Sequence, residues 1–232
     1  MKRHILFLVV VTMLAGCGVA DEPASVQIPP IGIPDNEPEK INEPNEIDMP
    51  DEPMPTEIII RGVTYSTDIT ELVLWDLQLT DSDIEPLRHM TNLERLSLSF
   101  NQISDIRPLS NLIYLRDLSL SFNQISDTSL LSNLTNLTHL TLSDNYISDL
   151  SSLSDLNNLI WLSLSANHIS DLTPLSELTD LKWLALGNNQ ISDINPIEGM
   201  VNLDWLDLEN NQISGSQIER LQEQLPSTTI IH

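Results

Sequence analysis

Leu96–Asp105 reads LSLSFNQISD, and the same ten letters return at Leu118–Asp127, 22 residues later. No other feature constrains the fold of this 232-residue chain so strongly, because a repeated segment has to suit the same environment each time. Leucines recur at 93, 115, 137, 159, 181 and 203, and each opens the frame Leu-x-x-Leu-x-Leu-x-x-Asn-x-Ile. Leu96, Leu98, Asn101 and Ile103 become Leu140, Leu142, Asn145 and Ile147, and later Leu206, Leu208, Asn211 and Ile213. An imperfect first copy, Ile69, Leu72, Leu74, Leu77 and Leu79, is two residues longer and has leucine in place of the asparagine.

The frame has a direct physical meaning. In Leu-x-Leu, two apolar residues at period two face inward from a short strand. The asparagine permits a sharp turn and can bond neighbouring backbone groups. Ile106, Leu109 and Leu112 point inward from the return leg, and Asp105, Asp127, Asp149, Asp171 and Asp193 stand where that leg begins, suited to capping a short helical turn. Pro108, Pro174 and Pro196 favour 3₁₀ or irregular geometry over α-helix. One such turn cannot cover its own apolar face, so copies must stack, and their strands form one parallel sheet at ~4.8 Å per rung.

This is the signature of the leucine-rich repeat, in six good copies and one degenerate one. The 22-residue spacing with Asn-x-Ile-x-Asp-x-x-Pro-Leu resembles the internalin-type repeats of bacterial surface proteins over Ile69 to Ile213. The fold expected is an α/β solenoid: a leucine-rich repeat horseshoe with a parallel concave β-sheet and short 3₁₀ or irregular convex legs, capped at both ends. Within a domain spanning 57–232, residues 57–68 form the N-terminal β cap, 69–213 the repeats, and 214–232 a closing helix and strand. Ser216-x-x-Glu219 reads as the box that opens that helix, with Ile218, Leu221 and Leu225 on its apolar face. Thr229-Ile230-Ile231 follows as the closing strand.

Residues 1–16 read as a signal peptide. Lys2 and Arg3 precede the apolar run Ile5–Ala15, which as a helix reaches only ~16 Å, too short to cross a ~30 Å bilayer core. The run ends in Leu14-Ala15-Gly16-Cys17, with the only cysteine of the chain. It resembles the bacterial lipobox, which implies cleavage before Cys17 and its lipidation. The protein is therefore expected on a bacterial cell membrane, lipid-anchored and facing outside the cytoplasm. Cytosolic 22-residue relatives that regulate phosphatases share much of the frame, but lack this leader. Residues 17–56 then read as a tether: from Gly18 to Thr56 there are nine of the fourteen prolines and ten carboxylates against Lys40 alone. Such a composition cannot bury enough apolar surface to fold.

The charge excludes one class of partner. The whole chain carries −24, and loss of Lys2 and Arg3 leaves 8 basic against 34 acidic residues, so the mature chain is at 8 − 34 = −26. Nucleic-acid backbones require the opposite sign. Catalytic, metal and cofactor sites are not expected. The five histidines lack ligand spacing and the serines fill repeating slots without a Gly-x-Ser-x-Gly elbow.

Binding remains. The residue before the first strand leucine is, copy by copy, Glu71, Arg95, Asp117, His139, Trp161, Trp183 and Trp205. Three of the four tryptophans therefore share one column, and the fourth, Trp75, follows the second strand leucine of the first copy, also on the concave side. Beside the column lie Ser163, Ser165, Ala185 and Gly187, turning acidic at Asp207 and Glu209. Trp161, Trp183, Trp205, His139, Asp207, Glu209 and Trp75 form the expected ligand face, pictured as exposed indoles beside a shallow trough. Its partner is another protein, as the internalin resemblance implies, or a glycan stacked on the indoles. A bare stabilising ladder on a passive scaffold is the third reading. A monomer is expected.

Overall fold

The structure, a computed structural model, describes residues 54–232. Cys17, the leader and nearly all of the tether lie outside the described residues. The described residues open with an antiparallel hairpin of β1 (Glu57–Ile60) and β2 (Val63–Ser66). Arg61 and Gly62 turn it with φ of 50° and 79°, the left-handed pair that a two-residue hairpin requires. Ile58 and Ile60 enter the core from this hairpin, whereas Ile59 and Val63 face solvent. The Arg61 guanidinium donates to Gln78 O at 2.7 Å and pairs with Asp83 at 2.8 Å, tying the hairpin to the first repeat.

The repeats contribute one short strand each: β3 (Glu71–Val73), β4 (Arg95–Ser97), β5 (Asp117–Ser119), β6 (His139–Thr141), β7 (Trp161–Ser163), β8 (Trp183–Ala185) and β9 (Trp205–Asp207). With the final β10 (Thr229–Ile231) they form an eight-stranded sheet, every neighbour parallel and in sequence order. The register is the one the 22-residue frame demands, Leu96 opposite Leu118, Leu118 opposite Leu140 and so on. Both strand leucines of each central repeat, such as Leu140 and Leu142, are wholly buried.

The asparagines hold the coil together. Asn145 accepts from Ile125 N at 2.9 Å through Oδ1 and donates through Nδ2 to Leu120 O and Leu142 O, both at 3.0 Å. Asn123, Asn167 and Asn189 repeat the pattern one copy away. Each amide thus bonds the copy before it to its own, satisfying backbone groups that have no strand partner. A second asparagine series, absent from the sequence reading, works on the other edge: Asn136, Asn158 and Asn202 each donate to a carbonyl of the preceding copy.

The convex legs are single 3₁₀ turns, Arg107–Leu109, Ser129–Asn133, Ser151–Leu153, Thr173–Leu175 and Asn195–Ile197. Asp105, Asp127, Asp149, Asp171 and Asp193 each accept the N–H two residues ahead at 2.8–3.0 Å, so they satisfy the first N–H of the turn from one position before its N-cap residue. Pro108, Pro174 and Pro196 stand at the start of their turns, where the missing N–H costs nothing. The two extra residues of the first copy go into its leg, which winds as α1 (Asp81–Ile84) before its 3₁₀ turn Glu85–His89.

Two readings of the sequence need correction. Leu77 does not occupy an inward asparagine position: Asp76 and Gln78 flank it with φ of 55° and 56°, which turns its side chain out to 45% exposure. Leu77 N and Leu79 N are satisfied instead by Asn101 Oδ1 of the next copy. The closing helix α2 (Gly215–Gln224) is capped by Ser214 with Gln217, not by Ser216 with Glu219. Gln217 Oε1 accepts Ser214 N at 3.0 Å, and its Nε2 donates to Ser192 O at 3.0 Å, so this box also fastens the helix to the last repeat. Ile218, Leu221 and Leu225 cover the open end of the core.

Candidate functional site

A parallel register without slippage stacks like positions, so the column preceding the strand leucines becomes a physical row on the solvent side of the sheet. Glu71, Arg95, Asp117, His139, Trp161, Trp183 and Trp205 are neighbours in that order, rung by rung. The row divides in two. Its first half is polar: Arg95 Nη2 meets Glu71 Oε2 at 2.6 Å, and His139 Nδ1 lies 2.9 Å from Asp117 Oδ1. Its second half is aromatic.

The three indoles stack on one another. The ring centroids of Trp161 and Trp183 are 4.3 Å apart at 3°, and those of Trp183 and Trp205 are 3.9 Å apart at 14°. These separations are shorter than the ~4.8 Å rung, so the rings lean into contact instead of standing upright. Each such pair contributes roughly 0.5–1.5 kcal/mol beyond burial. All three tryptophans are half-buried, which departs from the exposed indoles expected from the sequence. Both faces of Trp183 are covered by its neighbours, leaving the ring edges with their N–H and C–H groups open to a ligand.

The floor beside the stack is small and polar, with Ser163 and Ser165 half-buried and Ala185 and Gly187 buried. Ser143 Oγ and Ser163 Oγ are 2.7 Å apart. Gly187 leaves the room that Asp207 fills, since a Cβ there would lie 2.6 Å from Asp207 Oδ2. Asp207 Oδ1 accepts Glu209 N at 2.9 Å, which holds the carboxylate against the end of the trough. Glu209 and His139 are exposed.

Trp75 stands apart, in the turn two residues past the end of β3, and contacts Phe100 edge-on at 5.7 Å and 75°. Phe100 in turn stacks on Phe122 at 4.1 Å and 13°. The pairing of the phenylalanines with Trp75 crosses two columns, so no single position in the repeat reveals it. Among the described residues, no group of three or more His, Cys, Asp or Glu side chains converges as a metal site would.

Family models described as Leucine Rich repeats (2 copies) match residues 115–155 and 157–199, and one described as Leucine Rich Repeat matches 92–112 and 202–223. Among solved structures, an internalin (inlF) from Listeria monocytogenes is 38% identical with a TM-score of 0.63, over 66% of this chain and 44% of that one. Internalin C2 from the same organism is 31% identical with a TM-score of 0.58, over 72% of this chain and 84% of its own. A leucine-rich repeat protein of Leptospira interrogans is 28% identical with a TM-score of 0.53, over 64% and 45%. The chain spans less than half the length of the first and third of these. No curated protein matches it.

Proposed function

Because this chain belongs to the leucine-rich repeat proteins and is related to the internalins, we propose that it is a lipid-anchored module of the bacterial cell surface that binds another protein through its concave sheet. Cys17 carries the lipid, and the acidic, proline-rich stretch to Thr56 links it to the repeats. The observation that carries the binding site is the stack of Trp161, Trp183 and Trp205 beside a polar floor. Tryptophan is among the residues most enriched in binding hot spots, where water is excluded from around a large rigid side chain.

The same geometry favours a protein over a glycan. A sugar ring stacks on the open face of an indole, and here the inner faces are taken by other indoles. The open edges carry N–H and polarised C–H groups, which match the carbonyls and methyl groups of a protein surface.

Trp161→Ala, Trp183→Ala and Trp205→Ala, combined in the full chain, test this. Loss of protein capture from the cell surroundings, with glycan retention unchanged, supports the reading. Loss of glycan retention alone transfers the site to sugars. If neither changes while the melting transition stays cooperative, the face is a passive scaffold and the proposal fails. Separately, Cys17→Ala releases the protein from the membrane fraction and abolishes fatty-acid labelling if the anchor is as proposed.

A further inference from the structure

Exposed apolar surface gathers at the corner of the sheet diagonally opposite the tryptophan stack. Val73 and Trp75 are 61% and 53% exposed, and Leu77, Phe100 and Phe122 all exceed 40%. Clustered exposure of large apolar side chains marks a contact surface more often than chance. The backbone adds a second sign. Phe100 and Phe122 have φ of 62° and 58°, in a column where every other coil takes the same left-handed conformation with a smaller residue: Asp76, Asp144, Ala166, Asn188 and Asn210. A bulky residue there costs roughly 1–2 kcal/mol, and stacking returns only about 0.5–1.5 kcal/mol. Folding therefore gains little from phenylalanine at these two positions.

The charges around the patch have one sign. Asp76 and Asp144 flank the two phenylalanines in the same column, and Asp207 and Glu209 close the far end of the floor. None of the ion pairs among the described residues involves these four carboxylates. Partial burial of its carboxyl raises Asp144 above its ordinary value, although the residue as a whole is exposed. The one arginine of the strand row, Arg95, is already paired with Glu71.

We infer that this face takes a protein segment in which lysine or arginine alternates with aliphatic or aromatic residues, lying diagonally from the Trp75–Phe100–Phe122 cluster to the tryptophan stack. Between them it crosses the hydroxyls of Ser119, Ser121, Thr141, Ser143 and Ser163. From Phe122 to Trp161 is five residues along a strand and two rungs across, or about 19 Å, which roughly six extended residues span. Basic side chains meet Asp144 at one end and Asp207 and Glu209 at the other, and can lie over the open face of Trp75. The acidic tether, with ten carboxylates against Lys40, and a second copy of this chain both carry the wrong sign to occupy it. The inference rests on the protein-binding reading above and names the chemistry of the partner.

The chain has four tryptophans, one at the first cluster and three in the stack, so four indole N–H signals report both ends of the path. The full chain, ¹⁵N-labelled, is titrated with a synthetic dodecapeptide alternating lysine with leucine, and with its glutamate counterpart. The expected result is movement of the Trp75 signal together with at least one of the stack, for the lysine peptide only. Phe122→Asn, the residue already present at Asn188 and Asn210, keeps the backbone and lowers affinity about fivefold or more. Asp144→Asn lowers it about two- to fivefold, as an exposed charge pair would. Shifts confined to the stack overturn the diagonal path while leaving the protein-binding reading intact. Equal binding of both peptides, or affinity untouched by both variants, overturns the basic-segment inference. Movement of the same signals on raising protein concentration alone assigns the face to self-association and overturns it too. The protein-binding reading is judged by its own capture experiment.

Discussion

Replacing Asn145 by alanine tests what holds one coil to the next. The buried side chain accepts from Ile125 N and donates to Leu120 O and Leu142 O, with a longer fourth bond to Ser143 O at 3.3 Å. The losses are unequal. Leu120 O still accepts from Asn123 Nδ2, and Leu142 O still accepts from Asn167 Nδ2, each at 3.0 Å. Ile125 N has no other acceptor among its described bonds and is left orphaned in the core. An unsatisfied buried donor costs about 1–3 kcal/mol, and each weakened carbonyl adds about half of a typical net bond, so the total is about 2–4 kcal/mol. In urea, at ~2 kcal/mol per molar, this moves the midpoint down by roughly 1–2 M. Asn211→Ala is the control. Asn211 makes the corresponding bonds in the last repeat but is only half-buried, so water can replace it and the cost falls to about 1 kcal/mol. Amide exchange supplies the local reading: Ile125 loses protection in Asn145→Ala before its distant neighbours do. A cost for Asn145→Ala no larger than for Asn211→Ala, or an Ile125 amide still fully protected, would refute the reasoning.

Acid should loosen the convex turns. The carboxyls of Asp105, Asp127, Asp149 and Asp171 are held below their ordinary value by the residue two ahead: Arg107, Ser129, Ser151 and Thr173. Depressed folded values mean stability that is present above the unfolded-state value near ~3.9 and lost as pH falls through the lower folded values. Asp149→Asn keeps an acceptor for Ser151 N but cannot titrate, so its stability falls less steeply below about pH 4 than that of the unaltered chain. Asp83, drawn down to about 2 first by the Thr80 N–H and then by Arg61, titrates last in a carboxyl NMR series, and Asp144 titrates above its ordinary value. At the C-terminal cap, Ser214→Ala costs about 0.5–2 kcal/mol in thermal or urea melts, whereas Ser216→Ala stays within about 0.5 kcal/mol.

Much of this architecture is written in the repeat itself. Because each leucine, asparagine and aspartate returns at 22 residues, strand register, sheet order and the capping aspartates follow from alignment alone. The same ruler brings Trp161, Trp183 and Trp205 into one row. What it leaves open is how the side chains settle within the row. That the indoles lean together, bury one another and close their inner faces depends on the gap between a ~4.8 Å rung and ring contact distance, which no letter encodes. The helix cap was ambiguous for a different reason. Ser214-x-x-Gln217 and Ser216-x-x-Glu219 both satisfy the box, and the reach of Gln217 to Ser192 O on the previous coil decides between them. Leu77 followed the leucine pattern yet turned outward, because two left-handed neighbours outweigh an apolar letter. The Trp75–Phe100–Phe122 cluster is spread over two columns, so alignment separates residues that the fold joins.

The central claim, that the concave sheet is the binding surface, is tested most directly by photo-crosslinking from defined positions in the full chain on intact cells. A crosslinking side chain at His139 lies on the sheet row next to Trp161, and one at Glu177 lies just beyond the convex turn of the fifth coil. The account predicts a discrete protein adduct from position 139 that disappears with Trp183→Ala, and none from position 177. An adduct from position 177 alone, or one from 139 that persists in Trp183→Ala, would contradict it.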